Sequence, residues 1–394
     1  MTRAARELIQ RPARVAWPLW VAVAGLMLIG LAFVHSSTLG DSATTTKQAI
    51  WFGAGLVGVA VLCLVDYHVL ARWAWVGYWL AIALLVGVLF FGAYRHGARR
   101  WIDLGPFQFQ PSEFAKIAVL LALAQFLSRP LEELRMTNVV VKTLALVALP
   151  FGLILLEPDL GSALVLIPMA LAMMYVAGVP RRVLGRMVGA GAVVGGLLVV
   201  DVLFMPEGWQ VLKLKEYQRH RLMVYFGRDF APADATPEQR AYFRDLQRQK
   251  GWNVQQALIS VGSGGLTGKG WRQGTQNALG YLPRLGAHND FIFSVIAEES
   301  GFVGSVVVIG LYTVVLFTGI RVAGDARDRL GRLLATGVVA LWFSHVFVNV
   351  GMNIGLVPVT GIPLPLLSYG GSAAVSALLA VGLLQNVHLY RRAY

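Results

Sequence analysis

Ten stretches of this chain are apolar for long enough to cross a bilayer, and that property limits the fold more than any motif. They run near residues 17–35, 46–65, 72–92, 112–128, 140–157, 161–178, 183–205, 290–319, 331–352 and 366–388. In hydrocarbon no water answers a backbone N–H or C=O. Each stretch must therefore be a helix, and about 20 residues complete one crossing. The expected architecture is an all-α polytopic membrane protein with ten transmembrane helices, read as one membrane domain over residues 1–394. The first span is too long, and too poorly followed by small residues, for a cleaved leader. Composition agrees: 56% of residues are hydrophobic and 14% charged, outside the range of ordinary soluble domains. Cys63 is the single cysteine and lies in an apolar run, which removes disulfides and cysteine-built metal sites. The net charge of +13 reads as basic cytoplasmic loops and affinity for anionic head groups. No nucleic-acid partner is expected.

Lysine and arginine in the short loops give the orientation. Arg3, Arg6, Arg11 and Arg14 at the N-terminus fall on one side with Arg129, Arg135 and Lys142. Arg181, Arg182, Arg186, Arg321, Arg327, Arg329, Arg332, Arg391 and Arg392 join them. Both termini are thus expected in the cytoplasm. One connection, 206–289 between the seventh and eighth spans, is long and by parity extracytoplasmic; loops of that length usually carry function. Its middle opens Ala235-Thr-Pro-Glu238, a helix start, so a short surface helix is expected there.

The same loop holds Ile259-Ser-Val-Gly-Ser-Gly-Gly-Leu-Thr-Gly-Lys-Gly-Trp271. It resembles a nucleotide-binding P-loop but fails that spelling twice. Ser263 stands where the first glycine belongs, and Gly270 follows Lys269 where a hydroxyl should bind Mg²⁺. Outside the cytoplasm there is also no ATP pool. Two readings stay open: a plain tight turn, or glycines that free backbone N–H groups for an anion.

Ionisable residues near membrane spans are costly and mark function by default; here they gather at the outer ends of the spans. Glu113 and Lys116, at i and i+3, share one face of the fourth helix. They form either a self-satisfied pair or a lysine awaiting an anion. Glu157 and Asp159 occupy a tight turn, where they could bind a cation or, for Asp159, cap the next helix. Asp290 opens the eighth span as an N-cap or a general base. Glu298 and Glu299 lie two turns deeper. His345 and Asn349, at i and i+4, read as a buried hydrogen-bonded pair. The stretch Pro358-Val-Thr-Gly-Ile-Pro-Leu-Pro-Leu-Leu-Ser-Tyr-Gly-Gly-Ser372 cannot be regular helix. At membrane depth it must be buried or line a cavity. Arg99–Arg100 before Trp101, Tyr217-Gln-Arg-His-Arg221, and Lys269 with Arg272 put positive charge outside. Diphosphate oxygens would compensate it, as would lipid head groups.

Taken together these motifs resemble the SEDS family (shape, elongation, division and sporulation). Gln110–Lys116, Glu157–Gly161, Gly262–Trp271, His288–Phe293 and Pro363–Ser372 follow the family's order across residues 17–388. Gly361–Leu366 is closest to its elongation-type members. The resemblance implies a peptidoglycan glycosyltransferase of the bacterial cytoplasmic membrane that polymerises lipid II at its outer face. It also implies a class B penicillin-binding transpeptidase partner and other elongation-complex proteins. Asp290 matches the family's essential aspartate, Glu113 and Lys116 its acidic–basic pair, and Arg100-Trp101 an outer Arg-Trp. Three departures stand out. Pro283–Asp290 is two residues longer than usual, with Arg284 in place of a glutamate. Gly227-Arg228 replaces Asp-Pro and precedes a longer insert. Ser300 follows Glu298-Glu299 where leucine is usual.

The expected mechanism uses Asp290 as general base on the acceptor sugar hydroxyl. Arg100, Trp101, Glu113, Lys116, Arg221, Lys269, Ser368 and Tyr369 are expected to bind lipid II and an undecaprenyl-diphosphate-linked glycan. A divalent cation, Mg²⁺ or Mn²⁺, would be held by Glu157 and Asp159. The rival readings are a lipid II flippase, which needs a polar path through the bilayer, a ligase of another lipid-linked glycan, and a non-catalytic scaffold.

Overall fold

The structure is a computed structural model. It describes residues 15–95, 98–103, 105, 107–134, 137–205, 216–231, 236–282 and 286–391. Arg3, Arg6, Arg11, Arg14, Arg135, Arg284 and Arg392, named above, lie outside the described residues.

In chain order the elements are α1 (Trp17–Ser37), α2 (Ser42–Leu64), α3 (Tyr67–Arg72) and α4 (Ala74–Phe91). Three short strands follow, β1 (Ala93–Arg95), β2 (Ala98–Asp103) and β3 (Gln108–Phe109). Then come α5 (Pro111–Leu127), α6 (Leu131–Leu134), α7 (Thr137–Leu156), α8 (Leu160–Ala177) and α9 (Arg181–Phe204). The long connection contains α10 (Glu216–Tyr225), α11 (Pro237–Ser263) and α12 (Thr275–Ala278), and the chain closes with α13 (Ile292–Asp325), α14 (Arg329–Asn353) and α15 (Gly371–Tyr390). Among the described residues nine helices are long and apolar enough to cross a membrane. The predicted fourth span, α5, is shorter at 17 residues and nearly all buried. The sequence reading holds no strands, yet β1–β2–β3 form a small antiparallel sheet, pairing Ala93 with Trp101 and Ile102 with Phe109.

Local chemistry explains the starts and stops. Asp41 caps α2 through the Ala43 N–H, and Asp328 caps α14 through the Gly331 N–H at 3.0 Å. Thr236 and Gln239 form a reciprocal capping box at α11. The predicted surface helix is therefore present, but it runs on through Ser263 into the start of the glycine-rich segment. Helices α5, α8, α14 and α15 make the core. The outer helices turn residues such as Val57, Phe90, Leu197 and Phe317 outward, as a lipid-facing surface requires.

One end of the bundle is tied by polar side chains. Tyr67 donates to Asp328 at 2.5 Å, Arg329 binds the carbonyls of Arg129 and Ala177, and Asn386 holds those of Leu62 and Val65. The opposite end gathers the sheet, the α7–α8 turn, the long connection and the loop before α15.

Helix α13 breaks at Gly301 (φ 66°, ψ −161°). A break orphans carbonyls before it and N–H groups after it, and the glycine-rich segment answers both. The N–H groups of Lys269 and Gly270 donate to the carbonyls of Glu298 and Glu299 at 3.0 Å. Phe302 and Val303 donate to the carbonyls of Gly265 and Leu266 at 2.9 and 3.1 Å. A Cβ on Gly268 would stand 2.2 Å from the Glu299 carbonyl oxygen, so only glycine allows this approach. The segment is a splint for a broken helix, and these N–H groups are not open to an anion.

Candidate active site

A cavity of ≈ 1120 Å³ opens at the sheet-bearing end, lined by Arg100, Trp101, Asp159, Arg221, Asp290 and Tyr369 among others. Asp290 is brought there by backbone clamps. Asn349 and Asn353, one turn apart on α14, donate to its carbonyl at 3.1 and 3.0 Å. Ser368 donates to the Asn289 carbonyl at 2.6 Å and accepts from the Leu364 N–H, while the Tyr369 N–H donates to the His288 carbonyl at 2.8 Å. Ser368 thus serves from behind the wall, with Tyr369 at the surface. The N-cap of α13 is Phe291, without a side-chain cap bond, so the Asp290 carboxyl does not cap the helix and faces the cavity instead.

Gly361, at φ +79°, lies against that carboxyl. A Cβ there would be 3.4 Å from Asp290 Oδ2 and 3.8 Å from Arg221 Nη1. Arg221 also donates to the Val359 carbonyl at 3.2 Å. Burial pushes the Asp290 carboxyl above the usual carboxylate range; Arg221 pulls it back, Asp159 adds to the rise and Arg100 opposes it. The result is a carboxyl whose proton affinity is raised while cations remain beside it. Arg100 is fixed by its bonds to the carbonyls of Glu157 (2.9 Å) and Pro158, so the sheet delivers Arg100 and Trp101 to the cavity together.

Glu113 and Lys116 sit elsewhere. Both are buried, paired at 2.7 Å, and line a pocket of only ≈ 20 Å³, too small for a head group. The lysine is not awaiting an anion. His345 does not bond Asn349, its expected partner. Its Nε2 lies 3.0 Å from Lys116 Nζ and its Nδ1 3.2 Å from the Pro363 carbonyl. Lys269 is absent from the cavity wall, because its ammonium meets Glu298 at 2.6 Å and Thr275 at 2.7 Å. Glu299 accepts from Ser36 at 2.5 Å and from the Arg272 N–H. With these deep polar groups engaged inside the protein, the polar path a flippase needs has lost its expected residues.

Of the two carboxylates expected to hold a divalent cation, Asp159 lines the cavity and Glu157 does not. Glu157 is wholly buried away from the cavity, and neither carboxyl oxygen meets a hydrogen-bond partner among the described residues. Burial first, and the charge of Asp159 next, push it up to about 9, against the pull of Arg100. Asp159 does reach the cavity, but one oxygen accepts from the Ser162 N–H and the other from Gln110 Nε2, each at 3.2 Å. Its capping reading holds. Among the described residues no three His, Cys, Asp or Glu side chains gather as a metal site.

Several participants are not flagged by charge. Gln48 accepts from the Gly370 N–H and donates to the Ser368 carbonyl, and the Gln110 backbone N–H donates to Ser372 Oγ at 3.0 Å. The one sequence signal for these and for Asn353 is an amide set in or beside an apolar helix.

The fold and cavity define a class: a multi-pass membrane protein with an acid and two arginines converging at one end of a helical bundle. The chain belongs to the FtsW/RodA/SpoVE family, described as "Cell cycle protein", which matches residues 12–393. It is 35% identical over 367 residues to the peptidoglycan glycosyltransferase MrdB of Escherichia coli K12, covering 93% of this chain and 91% of the relative. It is 32% identical to the peptidoglycan glycosyltransferase RodA of Treponema pallidum, covering 94% and 96%. A solved chain from a peptidoglycan synthase complex that coordinates polymerization and crosslinking superposes with a TM-score of 0.77. That match has 31% identity and covers 96% of this chain and 99% of the other. Thermus thermophilus RodA gives 0.66 at 29% identity, covering 96% and 98%.

Proposed function

We propose that this protein is a peptidoglycan glycosyltransferase that polymerises lipid II at the outer face of the bacterial cytoplasmic membrane, with both termini inside. The observation that carries the reading is Asp290, clamped by its backbone, with its carboxyl in a cavity shared with Arg100 and Arg221. The acceptor's sugar 4-hydroxyl gives its proton to Asp290 as its oxygen bonds to the anomeric carbon of the growing chain. The bond from that carbon to undecaprenyl diphosphate breaks, and the diphosphate leaves with the electron pair. Attack opposite the leaving group inverts the centre, so an α-linked donor yields a β-1,4 bond. A raised proton affinity suits a base working near neutral pH, and general-base help of this kind contributes about 10²- to 10⁴-fold.

Diphosphate needs countercharge more than a proton, and Arg100 and Arg221 supply it from the cavity wall. Trp101 and Tyr369 offer rings at the same wall. Lys116, Glu113, Lys269 and Ser368 support this arrangement from within the protein. No step is assigned to a divalent cation. A class B penicillin-binding transpeptidase is the proposed partner, in keeping with the synthase complex whose chain this one resembles. The test is purified Asp290→Asn with lipid II: it is expected to bind the substrate and fail to extend glycan. Polymerisation at the wild-type rate would remove Asp290 as the base.

A further inference from the structure

We infer that His345 is a positioning residue for the transfer reaction: as a neutral ring protonated on Nδ1, it joins the buried Glu113–Lys116 pair to the Pro363 carbonyl in the loop that walls Asp290. The inference rests on the proposed glycosyl transfer and adds a residue to it.

Hydrogen-bond roles fix the ring. An ammonium has three donors and no acceptor, so at 3.0 Å from Lys116 Nζ the Nε2 of His345 must offer its lone pair. The proton then sits on Nδ1, which donates to the Pro363 carbonyl at 3.2 Å. The doubly protonated ring and the other neutral tautomer would each set N–H against N–H. Every charged or polar group facing the ring agrees. Lys116 is paired with Glu113 at 2.7 Å, and Ser376 holds the Glu113 carbonyl at 2.9 Å.

Proline makes this contact matter. Residues 358–370 cannot satisfy their own backbone as helix, so their buried carbonyls depend on side chains. Asn349 holds the Ile362 carbonyl at 2.7 Å, His345 that of Pro363, and Tyr312 that of Pro365 at 2.5 Å. His345, Asn349 and Asn353 repeat at i, i+4 and i+8 along one face of α14, and the two asparagines also hold the Asp290 carbonyl. One helix face thus measures the loop against the catalytic segment, with Gly361 two residues from Pro363. Among the described residues this ring is the hydrogen-bonded link from Lys116 to the loop.

The experiment compares His345→Gln and His345→Leu in lipid II polymerisation, alongside wild type and Asp290→Asn. Glutamine keeps an acceptor for Lys116; leucine keeps only bulk. Leucine is expected to lower kcat about 10- to 100-fold, the scale of a lost hydrogen bond to a buried charge, with KM changed less than about twofold. Glutamine should recover activity to within about threefold of wild type. Equal loss in both variants, or no loss in either, overturns the inference. Because leucine could impair folding, the second measurement uses the wild-type protein. Histidine ¹⁵N resonances, with that of His345 identified by its disappearance in His345→Gln, should show a neutral ring carrying its proton on Nδ1. A doubly protonated ring or the Nε2–H form overturns it. If wild type itself does not polymerise lipid II, the proposed function fails, and the ring's protonation still judges the hydrogen-bond assignment separately.

Discussion

Replacing Arg221 with glutamine should move the acid limb of the activity profile to higher pH. The two groups stand 3.4 and 3.8 Å from one point, the Cβ position of Gly361, so guanidinium and carboxylate lie within about 7 Å. Arg221 is exposed, and water screens the pair. An effective dielectric between about 20 and 40 gives an interaction of about 1–2 kcal/mol at that separation. That corresponds to about one pH unit. The sign follows from the charge: Arg221 favours the ionised carboxyl, so removing it raises the pH at which Asp290 takes up a proton. The base is then lost at a higher pH as the solution is acidified. The assay is kcat/KM for lipid II polymerisation across pH, each variant normalised to its own plateau. This separates the shift from any loss of binding through the diphosphate or the Val359 carbonyl. An acid limb that stays in place, or moves to lower pH, would refute the electrostatic pairing.

Three further outcomes follow from the same geometry. Lys269→Ala strands the buried Glu298 carboxylate and should cost about 3 kcal/mol of stability, the low end for a broken buried pair, while KM for lipid II stays unchanged. Thermal unfolding and KM check this, and a raised KM with unchanged stability would return Lys269 to the substrate. Glu157→Gln should leave the response of activity to added Mg²⁺ or Mn²⁺ as in wild type, because its carboxyl is buried outside the cavity lining; a shifted half-saturating concentration would make it a ligand. Gly361→Ala should cost about 1 kcal/mol for its left-handed backbone and place a methyl group against the Asp290 carboxyl. Its kcat should fall by more than its stability change explains, whereas wild-type kcat would mean the loop does not govern the base.

The sequence alone determined the membrane architecture, because hydrocarbon admits no unsatisfied backbone and twenty apolar residues leave one solution. It also marked Asp290, Arg100 and Arg221 as ionisable groups at the outer ends of the spans, and the family resemblance added Trp101 and Tyr369. Periodicity and spelling could not say which cations pair with which acids. In sequence Lys116 reads as the i+3 partner of Glu113 or as an anion site, and Lys269 as part of a plain turn or as an anion site; only the first pairing is local, for Glu298 lies 29 residues from Lys269 and His345 lies 229 from Lys116. Those distances close only when helices pack. The glycine-rich segment likewise gained its role from Gly301, whose broken helix left backbone groups that a distant loop had to satisfy. Local chemistry wrote the helices and their caps; the pairing of buried charges was decided by packing, because a charge takes the nearest partner in space, whatever its place in the chain.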